Sequence, residues 1–385
     1  MGGLAFLGVV AGILVMPDPG LGVERLDFSV YWGAIHTWVG GGSLYDFSTI
    51  NTYGQVLAFV YPPFAALVLV PLGLLSLGRA AVLWTLLQLG LTAVLALVVY
   101  RTASNPPGPT PWDRRKRALL IVLGLIVSNP VAHSTELGQL SLLVVTLVVV
   151  DVVLLPARWR GVLVGVAAAI KLTPLIFVPF LLLTRQWASA ARTTATFALA
   201  GLLGFLVMPA DSWRYWTQLV FDSARMGELA WLRNKSLRGF LARWDIGGAY
   251  QTQLWLVLAV VVFVLGMWTA WRHHVRGEEY RAILIVGMLS TVVSPISWTH
   301  HLIWLVLAWF VLALEVDRWE RNLGVVLVMS SFYYSPPWLP VEDGPVWLAV
   351  LGALPLVASV TMVIFGFPGA LPKLTRRSAH EVVSA

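Results

Sequence analysis

The sequence contains no cysteine. That excludes disulfides, zinc–thiolate sites and thiol nucleophiles, and leaves any chemistry to carboxylates, histidine, lysine or arginine. Charge is scarce as well: 12% of the 385 residues are charged against 58% hydrophobic, and mean hydropathy is +0.80. A soluble domain cannot clothe its surface on that composition. Nucleotide-binding signatures are also missing, with no GxxxxGK[ST] loop and no GxGxxG after a strand, so a reaction here must draw its energy from a substrate that arrives activated. No internal repeat stands out, and the only low-complexity piece is the Pro-rich stretch 104–111. A cleavable signal peptide is not expected, because residues 3–16 lack a charged start and Pro17-Asp18-Pro19 is no small-residue cleavage site.

What fills the chain is apolar runs, recurring from the first residues to about 366. A helix needs roughly 20 such residues to span hydrocarbon, so the expected fold is an all-α polytopic membrane protein, one domain over 1–385 with about twelve transmembrane helices. The expected spans are 3–16, 80–100, 118–132, 139–155, 161–172, 173–184, 193–210, 251–271, 282–296, 301–316, 322–334 and 346–366. The first is short, so it either borrows flanking residues or starts upstream of Met1.

The formal charge of +7 is spent in inter-helical loops, which points to membrane orientation and not to nucleic acid. Five clusters anchor the cytoplasmic side: Arg101 with Arg114–Arg117, Arg158/Arg160, Arg185/Arg192, Arg272/Arg276/Arg281 and Arg318/Arg321. Lys373, Arg376 and Arg377 add the tail, 367–385. Loops 18–55, 211–250, 294–301 and 334–345 then lie outside, in a multi-pass protein of the plasma (inner) membrane. Segment 56–78 is expected to be a re-entrant or outer-leaflet segment, broken at Pro62-Pro63. Interfacial helices are expected in loop 18–55, ending at Gly40-Gly41-Gly42, and at about 212–243, where Trp213, Trp216, Trp231 and Trp244 recur.

With so few charges, an ionisable group near membrane depth is a functional candidate. Asp27 follows the first run and either caps the interfacial helix or acts as a general base. Lys171 interrupts an apolar stretch just before Pro174, at the outer turn of a short hairpin, where it binds phosphate or snorkels. His300-His301 stand at an outer loop-to-helix junction. Adjacent histidines do not face one point, so one is a phosphate or sugar donor, the other is structural, and no metal is expected. Arg238 offers a planar fork for phosphate or a headgroup contact. Glu136 and Gln139 occupy an outer turn, where they bind sugar or the neighbouring backbone, and Asn234 and Ser236 are neutral polar partners. His273-His274 read as solvated cytoplasmic surface.

Asp27-Phe28-Ser29-Val30-Tyr31, Gly42-Ser43-Leu44-Tyr45, Tyr61-Pro62-Pro63-Phe64, Gly138-Gln139, Lys171-Leu172-Thr173-Pro174, Asn234-Lys235-Ser236-Leu237-Arg238-Gly239 and Ser294 to His301 follow one another in order. Together they resemble the actinobacterial polyprenyl-phosphate-mannose-dependent α-1,2-mannosyltransferases of the glycosyltransferase C superfamily. The resemblance covers nearly the whole chain. It implies Asp27 as catalytic base, with Lys171, Arg238, Asn234, Gln139 and a histidine of His300/His301 as donor phosphate or sugar contacts. Tyr31, Tyr61 and Glu136 would be acceptor or loop contacts. Its partners would be a polyprenyl-phosphate sugar donor, a glycolipid acceptor (a mannoside or lipoglycan) and membrane lipids, with no cofactor, no metal and no nucleic acid. Lys235 stands where Gln is usual, and Glu136 precedes Gly138-Gln139 where aromatics are common. Alternatives are an arabinofuranosyltransferase using polyprenyl-phosphoarabinose, or a lipid-linked sugar flippase or transporter. Clustering of the polar groups at one face disfavours transport.

Overall fold

The computed structural model describes residues 25–51, 54–102, 111–315 and 346–367. The expected spans 3–16 and 322–334, the Arg318/Arg321 cluster, loop 334–345 and most of the tail lie outside these residues. Among the described residues the architecture is helical, apart from one small hairpin.

Helix α1 (Leu26–Val39) buries Phe28, Val30, Tyr31, Ala34 and Ile35. Its 14 residues are too few to span hydrocarbon, and it stops at Gly40, with Gly41 at φ 90°. Strands β1 (Ser48–Ile50) and β2 (Val56–Ala58) then pair antiparallel, a hairpin that the helical reading lacked. The Pro62-Pro63 break falls where expected, because Pro63 opens α2 (Pro63–Gly73), where a missing N–H costs nothing. Helix α3 (Leu77–Thr102) follows.

Three helices are long and apolar enough to cross a membrane: Leu77–Thr102, Trp187–Val207 and Gly248–Val275. A fourth crossing arises if the bent pair α4 (Pro111–Val127) and α5 (Asn129–Leu137), kinked by 58°, counts as one. The bend falls within the expected span 118–132, and Pro130 in the first turn of α5 explains it. The remaining apolar helices are shorter, so among the described residues three or four candidates meet that length, against about twelve spans expected along the whole chain.

Helix α6 (Ser141–Val153) leads to α7 (Val162–Ile170), whose first turn is capped from a distance. The buried Asp151 carboxylate accepts N–H bonds from Gly161 at 2.7 Å, Leu163 at 2.8 Å and Val164 at 3.3 Å. The negative charge also suits the positive helix end. After α7 the chain breaks at Lys171, makes a 3-10 turn at Thr173–Ile176 and returns through α8 (Phe177–Leu183). Both feet of this hairpin stand together. Arg192 on α9 (Trp187–Val207) donates to the Arg160 carbonyl at 2.7 Å, and Thr193 to that of Gly161 at 3.0 Å. Lys171 is therefore the tip.

The expected interfacial helix over 212–243 is instead several pieces. They are α10 (Pro209–Thr217), two 3-10 turns, an irregular stretch through Gly227 at φ 115°, and α11 (Leu237–Arg243). Arg243 fixes the irregular stretch by donating to the carbonyls of Ala230, Trp231 and Asn234.

Helix α12 (Gln251–Val275) descends, and α13 (Glu279–Val293) returns buried on every side, from Ala282 to Met288. It is packed by α12, α14 (Ile303–Glu315), α15 (Val346–Phe365) and α6. By contrast α9 leaves Leu199, Leu202 and Leu206 exposed, and α12 leaves Val257, Val260 and Val264 exposed. Water would penalise such faces and lipid does not. The chain is membrane-embedded. Its basic clusters share one end, where Arg160 meets Arg192, Gln186 meets Glu279 and Arg117 meets Leu314. His273 is not solvated as expected there: it is 3% exposed and hydrogen-bonds Glu278 and the Phe367 N–H.

Candidate active site

At the other end of α13 lies a cavity of about 1410 Å³. Small-molecule sites usually enclose roughly 300–1,000 Å³, so this one has room for two substrates. It is lined by residues from distant segments, among them Asp27, Tyr31, Tyr61, Glu136, Gln139, Lys171, Arg238, His300 and His301. Nine of the ten residues expected at a site thus meet in one space. The tenth, Asn234, does not line it. Its amide is spent on the Leu229 and Pro295 carbonyls and on the N–H groups of Ser236 and Ser297, so it shapes the loop.

Asp27 sits in the first turn of α1, yet among the described residues its carboxylate accepts no backbone N–H. Capping therefore does not explain it. Oδ2 accepts from Gln139 Nε2, and Oδ1 has no hydrogen-bond partner among the described residues. Burial pushes its pKa up to about 6, opposed by the Gln139 hydrogen bond and by the nearby His133 and Lys171. A carboxylate in that range is both substantially ionised and basic near neutral pH.

Lys171, at the hairpin tip and the C-terminal end of α7, also suits the negative end of that helix dipole. Its Nζ lies 2.7 Å from His301 Nε2 and 5.5 Å from the Tyr61 ring centroid. His301 is oriented by the Trp298 N–H, which donates to Nδ1 at 3.1 Å. The His300 ring stands 4.6 Å from that of His301 and is 3% exposed, with both nitrogens unpartnered among the described residues. Both histidines line the cavity. A buried imidazole with two unmet nitrogens calls for an explanation, and a ligand in the adjoining cavity supplies one.

Arg238 places its guanidinium 4.8 Å from the Trp255 ring. Glu136 is at the mouth, 75% exposed and 3.5 Å from His133. Sequence reading missed His133, Arg225 and Arg233, which also line the space. The rule applied to Lys171, an ionisable group near membrane depth, would have found His133.

The buried Asp27 carboxylate faces a group of cationic and imidazole side chains inside a helical scaffold, an arrangement able to move a proton on one side of a reacting centre and hold an anion on the other. A family model described as "Glycosyltransferase family 87" matches residues 59–295. The chain belongs to that family. This family 87 protein is a glycosyltransferase. It is 32% identical over 346 residues, covering 87% of this chain and 80% of the relative, to a protein of Mycobacterium tuberculosis named polyprenol-phosphate-mannose-dependent alpha-(1-2)-phosphatidylinositol mannoside mannosyltransferase. It is 36% identical over 355 residues, covering 89% and 83%, to a protein of Mycolicibacterium smegmatis named polyprenol-phosphate-mannose-dependent alpha-(1-2)-phosphatidylinositol pentamannoside mannosyltransferase.

Proposed function

We propose that the protein transfers a mannosyl residue from polyprenyl-phosphate-mannose to a hydroxyl of a lipid-linked mannoside or lipoglycan, forming an α-1,2 linkage with inversion. The acceptor oxygen attacks the anomeric carbon while Asp27 Oδ1 takes its proton. The bond from that carbon to the phosphate oxygen breaks, and polyprenyl phosphate departs with the electron pair. A β-linked donor gives an α-linked product. Lys171, His301, His300 and Arg238 stabilise the charge that develops on the phosphate, positioned before it appears.

The observation that carries this reading is the shared cavity, with a proton-accepting carboxylate and the Lys171–His301 pair on its wall. The relatives' names supply the sugar and the acceptor class. The basic clusters at the opposite end support reading the site as extracytoplasmic, at the plasma membrane, by the positive-inside rule, with α1 as an interfacial helix on that side. The test is transfer from polyprenyl-phosphomannose by membranes carrying Asp27→Asn. Product formation near the wild-type rate removes Asp27 from its role, and preference for polyprenyl-phosphoarabinose in the same assay changes the donor.

A further inference from the structure

We propose that Gln139 is a positioning residue for the base: two tyrosine hydroxyls fix its amide so that the NH2 group holds Asp27 Oδ2 and leaves Oδ1 to face the acceptor. This rests on the general-base reading of Asp27.

The two ends of a glutamine amide are nearly isosteric, and a free amide samples both orientations. Here the surroundings choose. Oε1 lies 3.2 Å from the Tyr31 hydroxyl and 3.1 Å from the Tyr61 hydroxyl, and a carbonyl oxygen accepts from both. The two hydroxyls are also 3.3 Å apart. Whichever way their protons are shared, at least one O–H reaches Oε1. Flipping the amide would abandon those donors and set a carbonyl against a carboxylate, with no proton between them.

The backbone is as constrained as the amide. Helix α5 ends in a Schellman turn, with Gly138 at φ 72° and the Gln139 N–H on the Ser134 carbonyl at 2.8 Å. The Trp84 indole holds the Gly138 carbonyl at 2.8 Å, and a Cβ on Gly138 would come within 2.6 Å of Phe28 Cβ. From the other side, Arg25 donates to the Thr135 carbonyl, tying the chain two residues before Asp27 to the same turn. Asp27 and Gln139, 112 positions apart, are therefore clamped by two independent links.

The titratable groups facing Asp27 are Tyr31 of α1, Tyr61 of the loop before α2, His133 of α5 and Lys171 of the hairpin tip, with His300 and His301 next to Lys171. Gln139 is the neutral member that donates to the carboxylate, and its loss favours the protonated acid.

The experiment measures kcat/KM against pH for the full-length chain in lipid nanodiscs, with polyprenyl-phosphate-mannose and a phosphatidylinositol mannoside. Gln139→Met keeps the length of the side chain and removes the donor. The acid limb, at about pH 6 in the wild type, should move up by roughly one unit or more. Tyr31→Phe and Tyr61→Phe singly leave one donor on Oε1 and should shift it little. The double variant frees the amide and should shift it about as far as Gln139→Met, a non-additivity that lost packing alone would not give. If Gln139→Met does not fold, the tyrosine pair tests the same orientation without touching Gln139. A limb that stays in place while only the plateau falls overturns the proposal. An active Asp27→Asn without the limb sinks the base assignment instead, so the two failures are separable.

Discussion

Replacing Asp27 with asparagine should abolish transfer and make the protein more stable. The carboxyl pKa is pushed from 3.8 to about 6 because burial disfavours the charge more than Gln139, His133 and Lys171 favour it. A folded value above the unfolded one means that the ionised form opposes folding, so the penalty is complete above pH 6 and fades as pH falls from about 6 towards 4. About two units corresponds to roughly 3 kcal/mol; because Asp27 keeps contact with the open cavity, a gain on the order of 1–3 kcal/mol is the realistic size. The substituted amide can still accept from Gln139 through its carbonyl oxygen, so the neighbouring network survives. The assay is thermal unfolding of wild type and variant in one detergent at pH 7.5 and at pH 4.5, alongside mannosyl transfer at pH 7.5. The variant should melt higher at pH 7.5, the difference should shrink at pH 4.5, and transfer should be lost. A variant that melts lower at pH 7.5, or that transfers normally, would refute the argument that this carboxylate is kept charged for chemistry at a cost to the fold.

Lys171→Met should raise the donor KM or depress kcat by roughly tenfold or more, the worth of a charge-assisted hydrogen bond to phosphate; steady-state kinetics with varied donor decide, and unchanged constants defeat the phosphate role. His300→Phe should fold at least as well as wild type, because two unpartnered ring nitrogens are removed, while losing most activity; comparing melting with turnover checks both halves. Asp151→Ala acts at the opposite end: it removes the carboxylate that accepts three N–H bonds at the start of α7 and should destabilise by about 1–3 kcal/mol, leaving the donor KM of the folded fraction unchanged.

Much of the site was legible because ionisable residues are rare here, so each one near membrane depth announces itself. Asp27, Lys171 and His300-His301 were found that way, and the geometry unites them. What the pattern could not give was who faces whom. The capping reading of Asp27 was open until its carboxylate was seen to bond a side chain 112 positions away. Asn234 has the same polar amide as Gln139, and only the loop around it shows that its hydrogen bonds are already used. The irregular run from Gln218 to Ser236 defeated periodicity, because its conformation is set by Arg243 and Gly227 and not by an apolar stripe.

The helices are interrupted at particular places, and those places share a neighbour. The chain bends before Asn129, breaks at Lys171 and Leu172, and leaves helical form at Ser294–Trp298, while Pro62 interrupts the entry to α2; Asn129, Leu172, Ser294, Trp298 and Pro62 all line the one cavity. In hydrocarbon, unpaired backbone groups are prohibitively costly unless protein or a water-filled space receives them. Several helices can therefore stop short of a full crossing where protein and a shared hollow receive their ends, and each break here brings a residue to the wall of that hollow. The short helices and the site are then one feature: a scaffold of uninterrupted spans would have no place at this depth for Lys171 or His300.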